Sequence, residues 1–301
     1  MNQTNHKTCG FIAILGAPNA GKSTLLNNLV GSKVAIVTPK AQTTRSRVLG
    51  IVIKDQSQLI LVDTPGIFKP KHRFDRAMVK AAWSASGDAD IVAVIVDVHA
   101  KSLEKTETIL DQLATMGHEP ILVLNKIDQV KRLDLLAIAQ RLTKERKIRE
   151  TFMISALNGD GIVDLLNYLA KHLPEGPWLF PEDQLTDMPQ RLIAAEITRE
   201  KIFMALHEEL PYAITVHSDS WEEFKNGSVK ITQTIYVMRE SQKSIVVGKD
   251  GHQIKQISQR AREDMADFFG RPVHLFLHVK TQENWVEKRE HYREIGLDYD
   301  A

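Results

Sequence analysis

The sequence predicts an α/β protein in which a mainly parallel sheet covered by helices is followed by a smaller α+β domain. Three observations carry this. Up to about residue 173, short apolar runs alternate with segments of helical length. Between Leu173 and Pro189 the stretch "LPEGPWLFPEDQLTDMP" breaks all periodicity with four prolines and a glycine. Beyond it, helical and strand-like patterns return in a different order. At 301 residues and 43% hydrophobic content, the chain can bury two separate cores. The expected boundaries are 1–173 for the first domain, 174–189 for a linker and 190–301 for the second.

In the first part the predicted strands are "FIAILG", "QLILVDT", "DIVAVIVDV", "PILVLNK" and "TFMISA". In the second, Leu192, Ala195, Ile202, Phe203 and Leu206 share one helical face, and "YAITVHS" reads as a strand. Val229, Ile231, Ile235 and Val237 alternate with polar residues as a half-buried strand should. The run "SIVV" is read as strand-like and leads into a glycine loop. After that loop Ile254, Ile257, Ala261, Met265 and Phe268 predict an apolar-faced helix. "PVHLFLHVK" alternates as a further strand, and "QENWVEKREHYREI" closes the chain as a charged helix.

A single cysteine, Cys9, excludes an intramolecular disulfide and fits a reducing compartment. The first ten residues lack the pattern of a signal peptide, and no apolar run is long enough to span a bilayer, so a cytoplasmic protein is expected. The net charge of +1 hides an asymmetry: divided near residue 179, the halves carry +6 and −5.

The chemistry is concentrated in short motifs at strand ends. "GAPNAGKS" (16–23) fits GxxxxGK[ST] between a strand and an apolar helix. Gly16, Ala17, Pro18, Asn19, Ala20 and Gly21 would wrap phosphates with backbone N–H groups. Lys22 would reach the β/γ oxygens, Ser23 would bind Mg²⁺, and Thr24 follows in the helix. In "LVDTPG", Asp63 is placed to hold Mg²⁺ through water, Thr64 and Pro65 complete the turn, and the Gly66 N–H can meet a γ-phosphate. "NKID" offers Asp128, whose carboxylate can accept both N1–H and the exocyclic amine of guanine. Asn125 would brace that loop and the purine, the Lys126 stem would lie along the base, and Ser155, Ala156 and Leu157 would present a backbone N–H to guanine O6. Thr43 or Thr44, in "TTR", should close on Mg²⁺ and the γ-phosphate beside Ser23 and Asp63. Lys22, Asp63, Gly66 and one of these two threonines are the expected carriers of hydrolysis.

Residues 11–170, with "GAPNAGKS", "TTR", "DTPG", "NKID" and "SAL" in five motif positions, resemble the G domain of translation-factor-class GTPases. The resemblance favours Thr44 over Thr43, and so implies Ser23, Thr44 and Asp63 as the metal set and Lys22, Thr44, Asp63 and Gly66 as the carriers of hydrolysis. Ile67 stands where Ras-like members carry a glutamine that orients the attacking water, which implies slow intrinsic turnover. Similar GTPases with Asn at the position of Asn19 can use it to help hold K⁺; a loop-bracing Asn without an ion is the alternative.

The second glycine loop, "GKDG" (248–251), lacks the Lys-Ser/Thr pair of a nucleotide loop. Its setting of helix, strand, strand, GxxG, helix, strand suits a KH domain, which clamps single-stranded nucleic acid. Gly248, Lys249, Asp250, Gly251, His252 and Lys255 are the expected RNA contacts, and Ile245, Val246, Ile254 and Ile257 line a groove or the core. The −5 charge of this half argues for selective binding of a short strand over general RNA affinity. Taken together, the chain resembles the TrmE-Era-like P-loop GTPases with a C-terminal KH domain, a family of bacterial ribosome-assembly factors. That resemblance implies an α/β P-loop GTPase G domain followed by a smaller α+β type II KH domain, hydrolysis of GTP to GDP, and binding of the 3′ end of 16S rRNA during maturation of the 30S subunit. It further implies some peripheral association with the inner membrane; nothing in the sequence demands a dimer, so a monomer is expected. A phosphotransferase using the same phosphate loop, and a docking protein that binds no RNA, are the rival readings.

Overall fold

The structure, a computed structural model, describes residues 7–40, 43–206 and 210–301. The expectation for the first ten residues falls largely on 1–6, outside the described residues. The chain divides into two compact units. The first comprises Met1–Ala35, Thr44–Asp187 and Gly296–Ala301, and the second Ile36–Thr43 and Met188–Ile295.

In the first unit the order is β1 (Thr8–Gly16), α1 (Lys22–Val30), β2 (Val48–Lys54), β3 (Ser57–Asp63), α2 (Arg73–Gly87), β4 (Ile91–Asp97), α3 (Glu104–Thr115), β5 (Ile121–Asn125), α4 (Arg132–Thr143), β6 (Glu150–Ile154) and α5 (Ile162–Lys171). The sheet runs β2-β3-β1-β4-β5-β6, with β2 antiparallel to β3 and the remaining pairs parallel. Strands buried on both faces need near-continuous apolar sequence. Val94, Ile95, Val96, Leu122, Val123 and Leu124 accordingly have no exposed surface. The neighbours of β1 lie on opposite sides of it, so the carboxyl ends of β1, β3, β4 and β5 open at a topological switch point, where ligands of such sheets bind.

The stretch expected as a linker is hydrogen-bonded to the first unit over much of its length. Cys9 N–H donates to the Pro174 carbonyl (3.1 Å) and Gly176 N–H to that of Lys7 (3.0 Å). The buried Gln58 amide accepts from the Leu179 and Phe180 N–H groups (2.8 and 3.1 Å) and donates to the Phe180 carbonyl (2.8 Å). Prolines remove the periodicity without removing the hydrogen-bonding capacity, and residues up to Asp187 belong to the first unit.

The second unit comprises α6 (Gln190–Ala205), β7 (Thr215–Glu223), β8 (Val229–Val237), α7 (Glu240–Val247), α8 (His252–Phe269), β9 (Val273–Thr281) and α9 (Arg289–Glu294). Its sheet pairs β7 and β8 antiparallel and β8 and β9 parallel. Two expectations need correction here. "SIVV" is the end of α7 and not a strand: the Gln242 side chain caps the helix start by accepting from Met238 and Arg239 N–H, and Gly248, at positive φ, closes its end. The closing segment is not one helix but a turn at Trp285–Glu287 and the short α9, anchored by buried Trp285 and Tyr292.

Segment Ile36–Thr43 packs within the second unit although both flanking stretches belong to the first. Val37 N–H donates to Glu200 (2.9 Å), the Lys40 ammonium meets the Phe203 and Leu206 carbonyls at the end of α6, and Arg199 donates to the Thr43 carbonyl.

Candidate functional site

The nucleotide motifs converge at the carboxyl ends of β1, β3 and β5. The turn between β1 and α1 closes with Ala20 N–H on the Ala17 carbonyl (3.3 Å), and Leu25 N–H reaches the Gly21 carbonyl (2.9 Å) as α1 begins. The Lys22 ammonium is buried and donates to the Gly16 and Ala17 carbonyls (3.2 and 3.0 Å), folding its stem back over the loop. Burial lowers its pKa to about 8, against the pull of the nearby Asp63 carboxylate.

Ser23, Thr44 and Asp63 come together as an all-oxygen cluster. Ser23 Oγ donates to Asp63 Oδ2 (2.6 Å) and lies 2.9 Å from Thr44 Oγ1, which is itself 3.3 Å from Asp63 Oδ2. Asp63 Oδ1 is buried and has no hydrogen-bond partner among the described residues. Burial raises the Asp63 pKa, opposed by the Lys22 charge and the two hydroxyls. A desolvated carboxylate with one oxygen unused, flanked by two hydroxyls, suits a hard cation such as Mg²⁺. Thr43 bonds elsewhere: its hydroxyl donates to the Lys40 carbonyl (2.8 Å) and pairs with that of Thr38 (2.6 Å).

In the DTPG turn, Thr64 is fully buried and donates to the Ile14 carbonyl (2.8 Å), so its side chain braces β1. A Cβ on Gly66 would lie 2.8 Å from the Pro18 backbone, so a glycine is needed where this turn meets the phosphate loop. Ile67 is core: 8% exposed, it packs with Leu15, Ala82 and Val94. Ile67→Ala is therefore expected to cost about 2–4 kcal/mol of stability, read from urea unfolding, beyond any effect on turnover.

Asn125 holds the base side together. Its Nδ2 donates to the Ala20 carbonyl (2.8 Å) and its Oδ1 accepts from Ala156 N–H (2.9 Å), so one buried amide ties the phosphate loop to the "SAL" turn. The Ala156 N–H, one of the groups expected for guanine O6, is thus engaged with Asn125. Ser155 is buried and stabilises its own turn by accepting from Asn158 N–H (3.2 Å). Leu157 is 75% exposed. Lys126 adopts the left-handed conformation (φ 69°) and Asp128 sits in the short turn Ile127–Gln129, exposed to solvent.

The lowered Lys22 pKa has a measurable consequence. A phosphate group at Lys22 would favour the ammonium form, so affinity should be full well below pH 8 and fall as pH rises through it. GDP binding by calorimetry is expected to be about tenfold weaker at pH 9 than at pH 7. A Lys22→Arg variant, charged throughout, should lack that slope.

The second unit presents the other loop. Gly248 has φ 74° and ψ 172°, a region open only to glycine, and a Cβ there would come within 2.6 Å of Gln253 Cβ. Lys249, Asp250, His252 and Lys255 are exposed and Gly251 leads into α8. Val246 and Ile257 are core, Ile254 is half-buried and Ile245 is 55% exposed, so the expected apolar quartet divides between interior and surface. Sequence reading missed a groove of about 400 Å³ between α8 and β9, lined by Lys255, Gln259, Arg262, His274 and Phe276 among others. Phe276 is 51% exposed. The signal was present: alternation on β9 puts Phe276 on the face opposite the interior.

Comparison with known proteins fits this geometry. A family model described as a 50S ribosome-binding GTPase matches residues 11–126, and a KH-domain model matches residues 209–286. GTPase Era of Afipia carboxidovorans is 55% identical over 297 residues, covering 99% of this chain and 96% of the relative. That of Brucella suis biovar 1 is 54% identical over 290 residues, covering 96% and 93%. Among solved structures, an Aquifex aeolicus Era variant bound to GDP·AlF4⁻ superposes with a TM-score of 0.90 at 39% identity, covering 96% of this chain and 99% of that one. Era in complex with MgGDPNP and nucleotides 1506–1542 of 16S ribosomal RNA gives 0.91 at 40% identity, covering 97% and 99%.

Proposed function

Because the chain belongs to the GTPase Era family, we propose that it hydrolyses GTP to GDP and phosphate as a timed switch, binding the single-stranded 3′ end of 16S rRNA through its KH domain to assist 30S subunit maturation. The observation that carries the reading is the joining of Thr44 to Ser23 and Asp63, which gives the site an element able to sense a γ-phosphate. Ser23, Thr44 and Asp63 would hold Mg²⁺, which when bound draws charge off the β- and γ-phosphoryl oxygens. Lys22 supplies a buried positive charge to the same oxygens, and the amino end of α1 adds its dipole. The Gly66 N–H meets the γ-phosphate, and Asp128 reads guanine. With Ile67 in the core, the attacking water is held by another group and basal turnover is slow. Asn19, at φ 63° in the phosphate loop, would help hold K⁺, which would supply additional positive charge there; equal turnover in K⁺ and Na⁺ buffers would remove that role.

In the second unit, Lys249 and Lys255 meet phosphates beside the amino end of α8, and Gly248 and Gly251 let the backbone approach. Exposed Phe276 and Arg262 extend the same face with a stacking surface and a charge. The protein acts in the cytoplasm as a monomer, with peripheral association with the inner membrane. No helix among the described residues is long and apolar enough to cross a membrane.

The test is binding of the GTP-analogue and GDP forms to a short strand copied from the 16S 3′ end, beside a scrambled strand. Selective binding, stronger with the GTP analogue, is expected. Equal weak binding of both strands in both states would leave the second unit as a docking domain for another partner.

A further inference from the structure

We propose that Asp97 is a positioning residue of the guanine site, its carboxylate fixing the Lys126 side chain along the face of the base. The inference rests on the guanine-nucleotide reading of that site. Asp97 ends β4 directly beside Asn125, the last residue of β5, and Val98 N–H donates to the Asn125 carbonyl (3.2 Å). The two strand ends are thus locked in register where the base-binding loop departs. The left-handed Lys126 directs its side chain back towards β4, where its ammonium lies 2.6 Å from Asp97 Oδ2. The other carboxylate oxygen, Oδ1, accepts from His99 N–H (3.0 Å). One oxygen therefore orients the carboxylate on its own loop while the other holds the lysine.

Both side chains are about one-quarter exposed (28% and 21%), shielded enough to resist competition from water without the desolvation cost of full burial. A lysine is flexible, and an untethered one would have to be ordered when the nucleotide binds. Asp97 orders it beforehand, so the stem is already laid out as an apolar surface for a purine. That surface does not distinguish guanine from hypoxanthine; discrimination between them belongs to Asp128, which meets the exocyclic amine. Asp97 should therefore govern affinity and leave base preference alone.

The experiment measures dissociation constants for GDP and for inosine diphosphate, which lacks the exocyclic amine, in the full-length wild type, Asp97→Asn, Lys126→Met and the double variant. Asn at 97 keeps an acceptor for His99 N–H and loses the ion pair. The expected result is a loss of about fivefold for both nucleotides with an unchanged GDP-to-inosine-diphosphate ratio, and no further loss when Asp97→Asn is added to Lys126→Met. Unchanged affinity, a collapsed ratio, or an equal loss in the Lys126→Met background would overturn the role. If the wild type itself shows no preference for GDP, the guanine reading fails first and is recognised as such. Asp97→Ser, which also keeps an acceptor, replaces the Asn variant if that one does not fold.

Discussion

Asp128→Asn should turn the protein from guanine towards xanthine nucleotides. The carboxylate can accept both N1–H and the exocyclic amine, and each hydrogen bond to a charged group is worth about 1.5–3 kcal/mol. An asparagine amide offers one acceptor and a donor, which mismatches the guanine amine and matches the xanthine C2 oxygen. Two altered bonds predict a loss of GDP affinity of roughly 10² to 10⁴-fold, with a gain for XDP. The side chain is exposed in its turn, so the fold should be undisturbed and the phosphate contacts of Lys22 and Ser23 retained. Competition binding of GDP against XDP reads the exchange directly. Retained guanine preference would place base recognition elsewhere and strengthen the phosphotransferase rival, which has no need of the NKID loop.

Replacing Gly248 and Gly251 together by alanine should abolish selective RNA binding while leaving GDP binding intact. Gly248 occupies backbone space that side chains avoid, and its added Cβ would press on Gln253 Cβ at 2.6 Å, so the loop must move. Gly251 has φ 74° in front of α8 and would be strained by alanine even though the space around it is open. The core beneath, built on Val246 and Ile257, is not touched by either change. A shifted loop loses its close approach to the nucleic-acid backbone, and affinity for the 16S-derived strand should fall by roughly 30- to 100-fold. A single cooperative unfolding transition well above the assay temperature, with unchanged far-UV circular dichroism, would establish that folding is intact. Undiminished RNA affinity in a folded variant would make "GKDG" an ordinary turn.

The parts of this molecule that chemistry dictates are readable in its sequence. A phosphate loop, and the carboxylates proposed here to hold a metal and to read guanine, each require a residue type at a fixed place near a strand end, and the fold does bring Ser23, Thr44 and Asp63 to one cluster. Packing decisions are less legible. A run as short as "SIVV" has no period of its own; its β-branched residues suggest a strand, while the cap from Gln242 and the burial of Val246 produce a helix. The strand β2 escapes sequence reading because its glycine and flanking polar turn obscure a short edge segment. Asn125 is expected at the purine, yet both ends of its amide are used between Ala20 and Ala156, a tertiary contact that spacing along the chain does not encode. The same holds for Lys126 and Asp97, which are distant in sequence and adjacent only through the pairing of β4 with β5.

The passage of Ile36–Thr43 through the second unit places a single peptide bond between Thr43, whose carbonyl Arg199 engages, and Thr44, whose hydroxyl lies with Ser23 and Asp63. Coupling carried through such a link, like any coupling between two binding sites, is reciprocal. Under the proposed function, any factor by which a triphosphate alters RNA affinity must equal the factor by which RNA alters triphosphate affinity, so RNA would act on the nucleotide site as strongly as the nucleotide acts on RNA binding. Measuring either constant with and without the other ligand closes a thermodynamic square, and a square that closes on a factor of one would leave the two proposed sites independent.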